Sequence, residues 1–170
     1  MESTLHLLTD LEELLVTEFR TCQSLFELAR VERAALSSND ILLLSSSVER
    51  KEALLDDLSR LGERRRSAAQ NLSAELGLPA HSSSVADIIA VLDREKAEQL
   101  SRLREGILAL MNRIRDLTRG SVALAEAGLE RTERLQIFLL SLHRTPAGYG
   151  PGGAPARWEP ISYSEIDQAM

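Results

Sequence analysis

The side chains able to do chemistry are few and scattered along the chain. Histidine occurs at His6, His81 and His143 only, and no two stand at the i, i+4 spacing that places paired imidazoles on one helix face. His143 sits where a helical pattern runs out ahead of a proline, without the helical frame that a phosphotransfer histidine needs. The single cysteine, Cys22, can form neither an internal disulfide nor a Cys-based zinc site. It falls in an apolar stripe and reads as a small core residue. Tyr149-Gly150-Pro151-Gly152-Gly153 is no phosphate loop, because no Gly-Lys-Ser/Thr follows and no strand precedes it. Acid–arginine neighbours such as Glu49-Arg50 and Glu63-Arg64-Arg65-Arg66 read as solvated helix faces. No catalytic constellation is present, and neither a cofactor nor a metal is expected.

Composition removes further classes. Twenty Lys and Arg stand against 26 Asp and Glu, a net charge of −6, whereas a phosphate-driven nucleic-acid binder needs a basic surface. The acidic start lacks the basic flank of a signal peptide, and the longest purely apolar runs, Ile41 to Leu44 and Ile137 to Leu140, are far too short to span a bilayer. The expectation is a soluble protein of a reducing compartment, rich in leucine and nearly free of aromatic core.

Helix breakers divide the chain. Of five prolines only Pro79 precedes Pro146, and Pro151, Pro155 and Pro160 follow. Residues 1–143 therefore read as a helical body, and 144–170 as a Pro/Gly-rich tail expected to be disordered. A first helix is expected from Ser3 as N-cap to about Leu36, with Leu7, Leu11, Leu14, Leu25 and Leu28 in one stripe. Leu8, Leu15, Cys22, Phe26, Ala29 and Leu36 form another beside it. Ser37-Ser38-Asn39 offer turn and cap chemistry. A second helix, about 40–76, carries Ile41, Leu44, Val48, Leu55, Leu58, Ala69, Leu72 and Leu76, interrupted by Lys51, Gly62 and Arg65. So short a turn predicts an antiparallel hairpin with residue i near residue 76 − i. Gly77-Leu78-Pro79 ends the second helix, glycine serving as a left-handed C′ residue.

Ser84 and Asp87 resemble a capping box ahead of Val85, Ile88, Ile89 and Leu92. Residues 84–92 read either as a separate short helix or as the first turns of the next one. From Leu103 a 4,3 spacing continues through Ile107, Leu110, Ile114, Leu117, Ser121, Leu124, Gly128, Arg131, Leu135, Phe138 and Leu142. A helix from about Asp93 to His143 would extend about 75 Å. The fold class is all-α: an elongated antiparallel helical bundle or coiled coil of three long helices, with the open question of a short fourth and a flexible C-terminal tail.

Two features exceed what a bundle requires. In residues 135–142, Leu135, Phe138 and Leu142 continue the inward seam, while Ile137, Leu139 and Leu140 point around the helix. A helix apolar on most sides must be covered by something, either the tail, another protomer or a partner. Tyr149, Trp158 and Tyr163 are spaced through the tail, which reads either as a set of aromatic anchors for a groove or as an inert terminus.

Further residues carry a resemblance to a known family. Glu18 in a leucine-rich first helix, Glu32 before Ala34-Ala35-Leu36, Asp40, and Glu49-Arg50-Lys51-Glu52-Ala53-Leu54-Leu55 resemble the motifs of FlgN, the flagellar type III export chaperone family. The arginine-bearing second helix ending near Gly77-Leu78, the long final helix and the Tyr149-Gly150 tail motif are similar as well. The resemblance implies a cytoplasmic chaperone that holds the C-terminal helical segments of the hook-associated proteins FlgK and FlgL. It would prevent their premature assembly and deliver them to the export gate, whose component FlhA is the implied contact of Tyr149. The guest groove is expected on the last helix, at Leu135, Ile137, Phe138, Leu139, Leu140 and Leu142, extended by Leu124 and Leu129. The alternative is a structural coiled-coil adaptor acting through homo-oligomerisation.

Overall fold

A computed structural model describes residues 2–79 and 81–143, leaving out the side chains of Glu2, Leu142 and His143. Four helices follow in order, α1 (Glu2–Ser38), α2 (Ile41–Glu75), α3 (Val85–Val91) and α4 (Arg94–His143). No strand occurs among the described residues. The expected tail, 144–170 with Tyr149, lies outside them.

The sequence explains where each helix stops and starts. The first helix already includes Glu2, so Ser3 lies within its first turn and is not the N-cap. At the other end Asn39 takes a left-handed conformation, φ 55°, which asparagine tolerates better than other non-glycine residues. The Asp40 amide then donates to the Ala35 carbonyl at 3.0 Å, and the Asn39 amide to Leu36 at 3.4 Å, closing a Schellman motif. Asp40, not the Ser37-Ser38-Asn39 run, caps α2: its carboxylate accepts from the Leu43 amide at 3.0 Å. The two serines remain helical and donate back to Arg33 and Ala34 carbonyls instead.

The end of α2 follows the sequence expectation. Gly77 at φ 70° is the C′ residue, and the Leu78 amide donates to the Ser73 carbonyl at 2.9 Å. Ser84 caps α3 in a full capping box: its hydroxyl accepts from the Asp87 amide at 3.2 Å, and its own amide donates to the Asp87 carboxylate at 3.1 Å. The Ser84 hydroxyl, followed by its amide, holds the Asp87 carboxyl below the ordinary range. Leu92 is extended and Asp93 caps α4 through the Lys96 amide at 3.0 Å, so Val85–Val91 is a separate helix with Ser84 and Leu92 as its caps.

Unit 1 of the chain, Met1–Glu126, holds the packed core. On α1 the buried line runs Leu8, Leu11, Leu15, Glu18, Cys22, Leu25 and Ala29, a strict 3,4 alternation cut through both stripes seen in the sequence. Leu72 and Ala69 of α2, Val85 and Ile88 of α3, and Leu100 and Ile107 of α4 close around it. Such fully buried aliphatic side chains each contribute about 1.5–3 kcal/mol through burial.

Two ion pairs set the α1–α2 register. Arg65 Nε lies 2.8 Å from Glu18 Oε2, and Lys51 Nζ lies 2.7 Å from Glu32 Oε2. Both join residue i to residue 83 − i, one heptad away from the 76 − i register that the apolar stripe alone suggested. In the 76 − i register Glu18 would face Leu58 and Glu32 would face Leu44, leaving two poorly solvated carboxylates without cations. The 83 − i register pairs both carboxylates with cations, and Lys51 and Arg65 are partners across the hairpin rather than breaks in the stripe. Ile41, Val48 and Leu55, expected to face inward, are exposed, while Ser47 takes the buried position at that end.

The third long helix runs parallel to the first. Gln99 donates to Glu12, residues 87 apart in sequence. The Phe19 ring lies over Gly106, and Arg33 over Gly120, at the same offset. A Cβ at Gly106 would stand 2.7 Å from Phe19 Cε2, whereas one at Gly120 would meet only the mobile end of Arg33, 2.5 Å from Nη1. Opposite outcomes are therefore expected from chemically identical changes. Gly120→Ala should stabilise by up to about 1 kcal/mol through helix propensity. Gly106→Ala should offset that gain with about 1–3 kcal/mol of overpacking against the ring. Urea unfolding of the two variants checks the contrast.

Candidate partner-binding surface

The apolar seam of α4 is buried only part of the way. Leu100, Ile107, Ile114 and Ser121 are buried at successive heptad intervals, with Leu103, Leu110 and Leu117 half-buried between them. The α1 offset brings Ser38, the last residue of that helix, level with position 125. α1 offers no residue past that level, and unit 1 ends at Glu126.

Unit 2, Ala127–Met170, contains the second half of α4, where every residue with a described side chain is exposed. Leu129, Leu135, Ile137, Phe138, Leu139 and Leu140 are all large, apolar and accessible; Ile137 is 66% exposed and Phe138 56%. Leu124, at the end of unit 1, is exposed as well. The structure thus presents seven of the eight residues expected to hold a guest on one helix. The eighth, Leu142, lies on the same helix, but its side chain is outside the described set.

These residues do not form one face. At about 100° per residue, Leu135 and Phe138 share a side with Arg131, with Leu139 at its margin. Leu129, Ile137 and Leu140 share roughly the opposite side with Glu133, and Glu130 stands at its edge. Glu130 and Arg134 pair along the helix. Leu135 and Phe138 continue the 4,3 spacing that starts at Leu103 in the sequence, and Leu129 stands one heptad after the exposed Val122.

A second apolar cluster escaped the sequence reading. Ile41 and Leu42, 76% and 85% exposed, stand in the first turn of α2. The heptad spacing places Ile41 at the beginning of an inward stripe and gives Leu42 no role, because periodicity carries no information about how far a neighbouring helix extends.

Among the described residues no group of three or more His, Cys, Asp or Glu could hold a metal. His6 lies 3.6 Å from Asp10 in an exposed i, i+4 pair, and His81 is exposed. Cys22 is 1% exposed; burial, then the nearby Glu18 charge, pushes its thiol up to about 11. The native protein should therefore resist thiol-directed reagents at pH 8 and react fully once unfolded, since the thiolate is the nucleophile. Rapid labelling of the native protein would show that the α1 core opens there. A groove of about 510 Å³ between α1 and α2 is lined by Leu7, Leu14 and Leu61 together with Asp10, Glu13, Thr17, Arg64 and Ser67. No described helix is long and apolar enough to cross a membrane.

The described residues thus form helices only, packed as a bundle in unit 1, and the second half of α4 carries exposed apolar side chains. A family model described as FlgN protein matches residues 1–157, and the chain belongs to the FlgN family. That family is one of flagellar export chaperones, which places the chain in flagellum assembly. No curated protein and no solved structure matches the chain.

Within that family the residues that carry the sequence resemblance have structural work. Glu18, Glu32 and Lys51 belong to the register pairs and Asp40 caps α2. None of them lies on the exposed seam.

Proposed function

We propose that this protein is a cytoplasmic chaperone for the hook-associated proteins FlgK and FlgL, and that it holds their C-terminal helical segments against the second half of α4. The observation that carries the reading is the exposed continuation of the α4 seam through Leu135 and Phe138. An amphipathic guest helix laid on that seam supplies the apolar neighbours that α1 supplies further up. Covering the guest's own apolar face prevents it from self-associating before export. Leu124, Leu129, Ile137, Leu139, Leu140 and Leu142 widen the contact, and Tyr149 is assigned to the export gate component FlhA. The exposed acid–arginine faces keep the helix hydrated and contribute little affinity, because surface pairs are worth roughly 0–1 kcal/mol.

Light scattering with and without a FlgK C-terminal segment tests this function. The expected result is a stoichiometric complex formed by a chain that self-associates weakly at most. A tight homo-oligomer that buries residues 135–142 and ignores FlgK and FlgL would identify a structural coiled-coil adaptor instead.

A further inference from the structure

The α1–α2 hairpin has a groove on each side, and α3 and α4 fill only one. Glu12, Phe19 and Arg33, which share a heptad position, face α4. Leu7, Leu14 and Leu28 stand about 200° around α1 from that position and border the other, outer groove. Two hollows lie along it, of about 510 Å³ and about 620 Å³. Leu7, Leu14, Leu61 and Ala68 line the first; Leu28, Val31, Ala53 and Leu54 line the second. Among the described residues neither hollow is lined by α3 or α4. Leu14 and Leu28 are two heptads apart, about 21 Å along the helix.

Charge marks the passage from one hollow to the other. Arg20 holds the heptad position of Glu13 and Glu27, which line the first and second hollow, and Arg64 of α2 lines the inner end of the first. In the 83 − i register Arg64 comes level with Phe19, so the two arginines flank one level of the groove from opposite helices. Both are exposed, and neither makes an ion pair among the described residues. Arg60 beside them lies 3.9 Å from Asp57, and Glu27 lies 3.1 Å from Arg30. Glu13 and Glu27 stand one heptad to either side of Arg20. An acidic group therefore suits the middle of whatever fills the groove and is repelled toward its ends.

We propose that the outer groove of the α1–α2 hairpin seats an amphipathic helix of a partner protein, which places apolar side chains in both hollows and a carboxylate between them, at Arg20 and Arg64. Two apolar clusters two heptads apart, with an acidic residue one heptad from each, identify such a helix. Docking of this kind takes its affinity from the apolar side chains and its register from the carboxylate. The seat lies wholly in unit 1 and is independent of any guest held on α4.

Two designed peptides of about 22 residues, long enough as helices to cover both hollows, test the seat. Both carry leucine clusters two heptads apart; one has glutamate midway between them and the other lysine. Titration calorimetry with the full chain should show the glutamate peptide binding on the order of tenfold more tightly. That order should invert in Arg20→Glu/Arg64→Glu. Val31→Asp, at an exposed position, should abolish binding of the glutamate peptide with helix content unchanged, and Phe138→Asp should leave it within about twofold. Binding of neither peptide, equal affinity for the two, or a preference that survives the double reversal overturns the proposal. Binding lost in Phe138→Asp and kept in Val31→Asp puts the peptide on α4 and overturns it as well.

Discussion

Phe138→Asp is expected to remove binding of a FlgK C-terminal segment while leaving the helix content and melting temperature of the free protein unchanged. Phe138 is exposed, so the folded chain loses no core contact, and surface substitutions of this kind usually shift stability by less than about 0.5 kcal/mol. On the proposed reading the same side chain would lie at the centre of a desolvated apolar contact with the guest. Truncating such an anchor commonly costs about 2–4 kcal/mol, roughly 30- to 1,000-fold in Kd. A carboxylate makes the loss larger, because it must be dehydrated without a partner.

Titration calorimetry with the same change at Ile137 separates the two sides of α4. A guest confined to the Leu135–Phe138 side leaves Ile137→Asp within about twofold of the parent, because Ile137 is about 100° from Phe138 and turned away from it. Comparable losses at both positions mean that the guest wraps the helix. Undiminished affinity in Phe138→Asp removes this surface from consideration altogether.

The helices, their order and the stop signals were legible because each rests on local chemistry: heptad spacing, the Ser84–Asp87 box and Gly77. The exposed stretch after Leu124 was legible for a different reason: residues 135–142 are apolar on more sides than one neighbour can cover. Register was not legible. A 3,4 repeat looks the same after a shift of seven, so an apolar stripe cannot distinguish 76 − i from 83 − i. The deciding residues, Lys51 and Arg65, looked like defects until Glu32 and Glu18 were found opposite them. The Ile41–Leu42 patch was missed for a related reason, since a periodic pattern does not record where the facing helix ends. Glu18, Glu32 and Lys51 also belong to the family motif, so the resemblance identifies how the hairpin is assembled more directly than where a guest is held.

That division of labour predicts a large and unusual effect of removing the register pairs. Glu18→Ala leaves Arg65 without its partner and should destabilise the protein by about 1–3 kcal/mol. This is below the 3–5 kcal/mol typical of a fully buried pair, because the Arg65 side chain is 35% exposed and partly rehydrates. The double variant Glu18→Ala/Arg65→Ala should recover part of the loss, and urea unfolding of the four-member cycle yields the coupling. Replacing all four charged residues, Glu18, Arg65, Glu32 and Lys51, with leucine should go further in the opposite direction. Well-packed apolar side chains in place of such pairs are often neutral or stabilising by about 1–4 kcal/mol. That protein should melt no lower than the parent, yet its hairpin loses the feature that separates the two heptad-related registers. Cysteine pairs placed to cross-link either 83 − i or 76 − i should then both close in the leucine variant, while only the first closes in the parent. Sole closure of the 83 − i pair in both proteins would mean that the turn at Asn39-Asp40 and the packing of α4 fix the register without the charges. The ion pairs would then be left with stability as their only contribution.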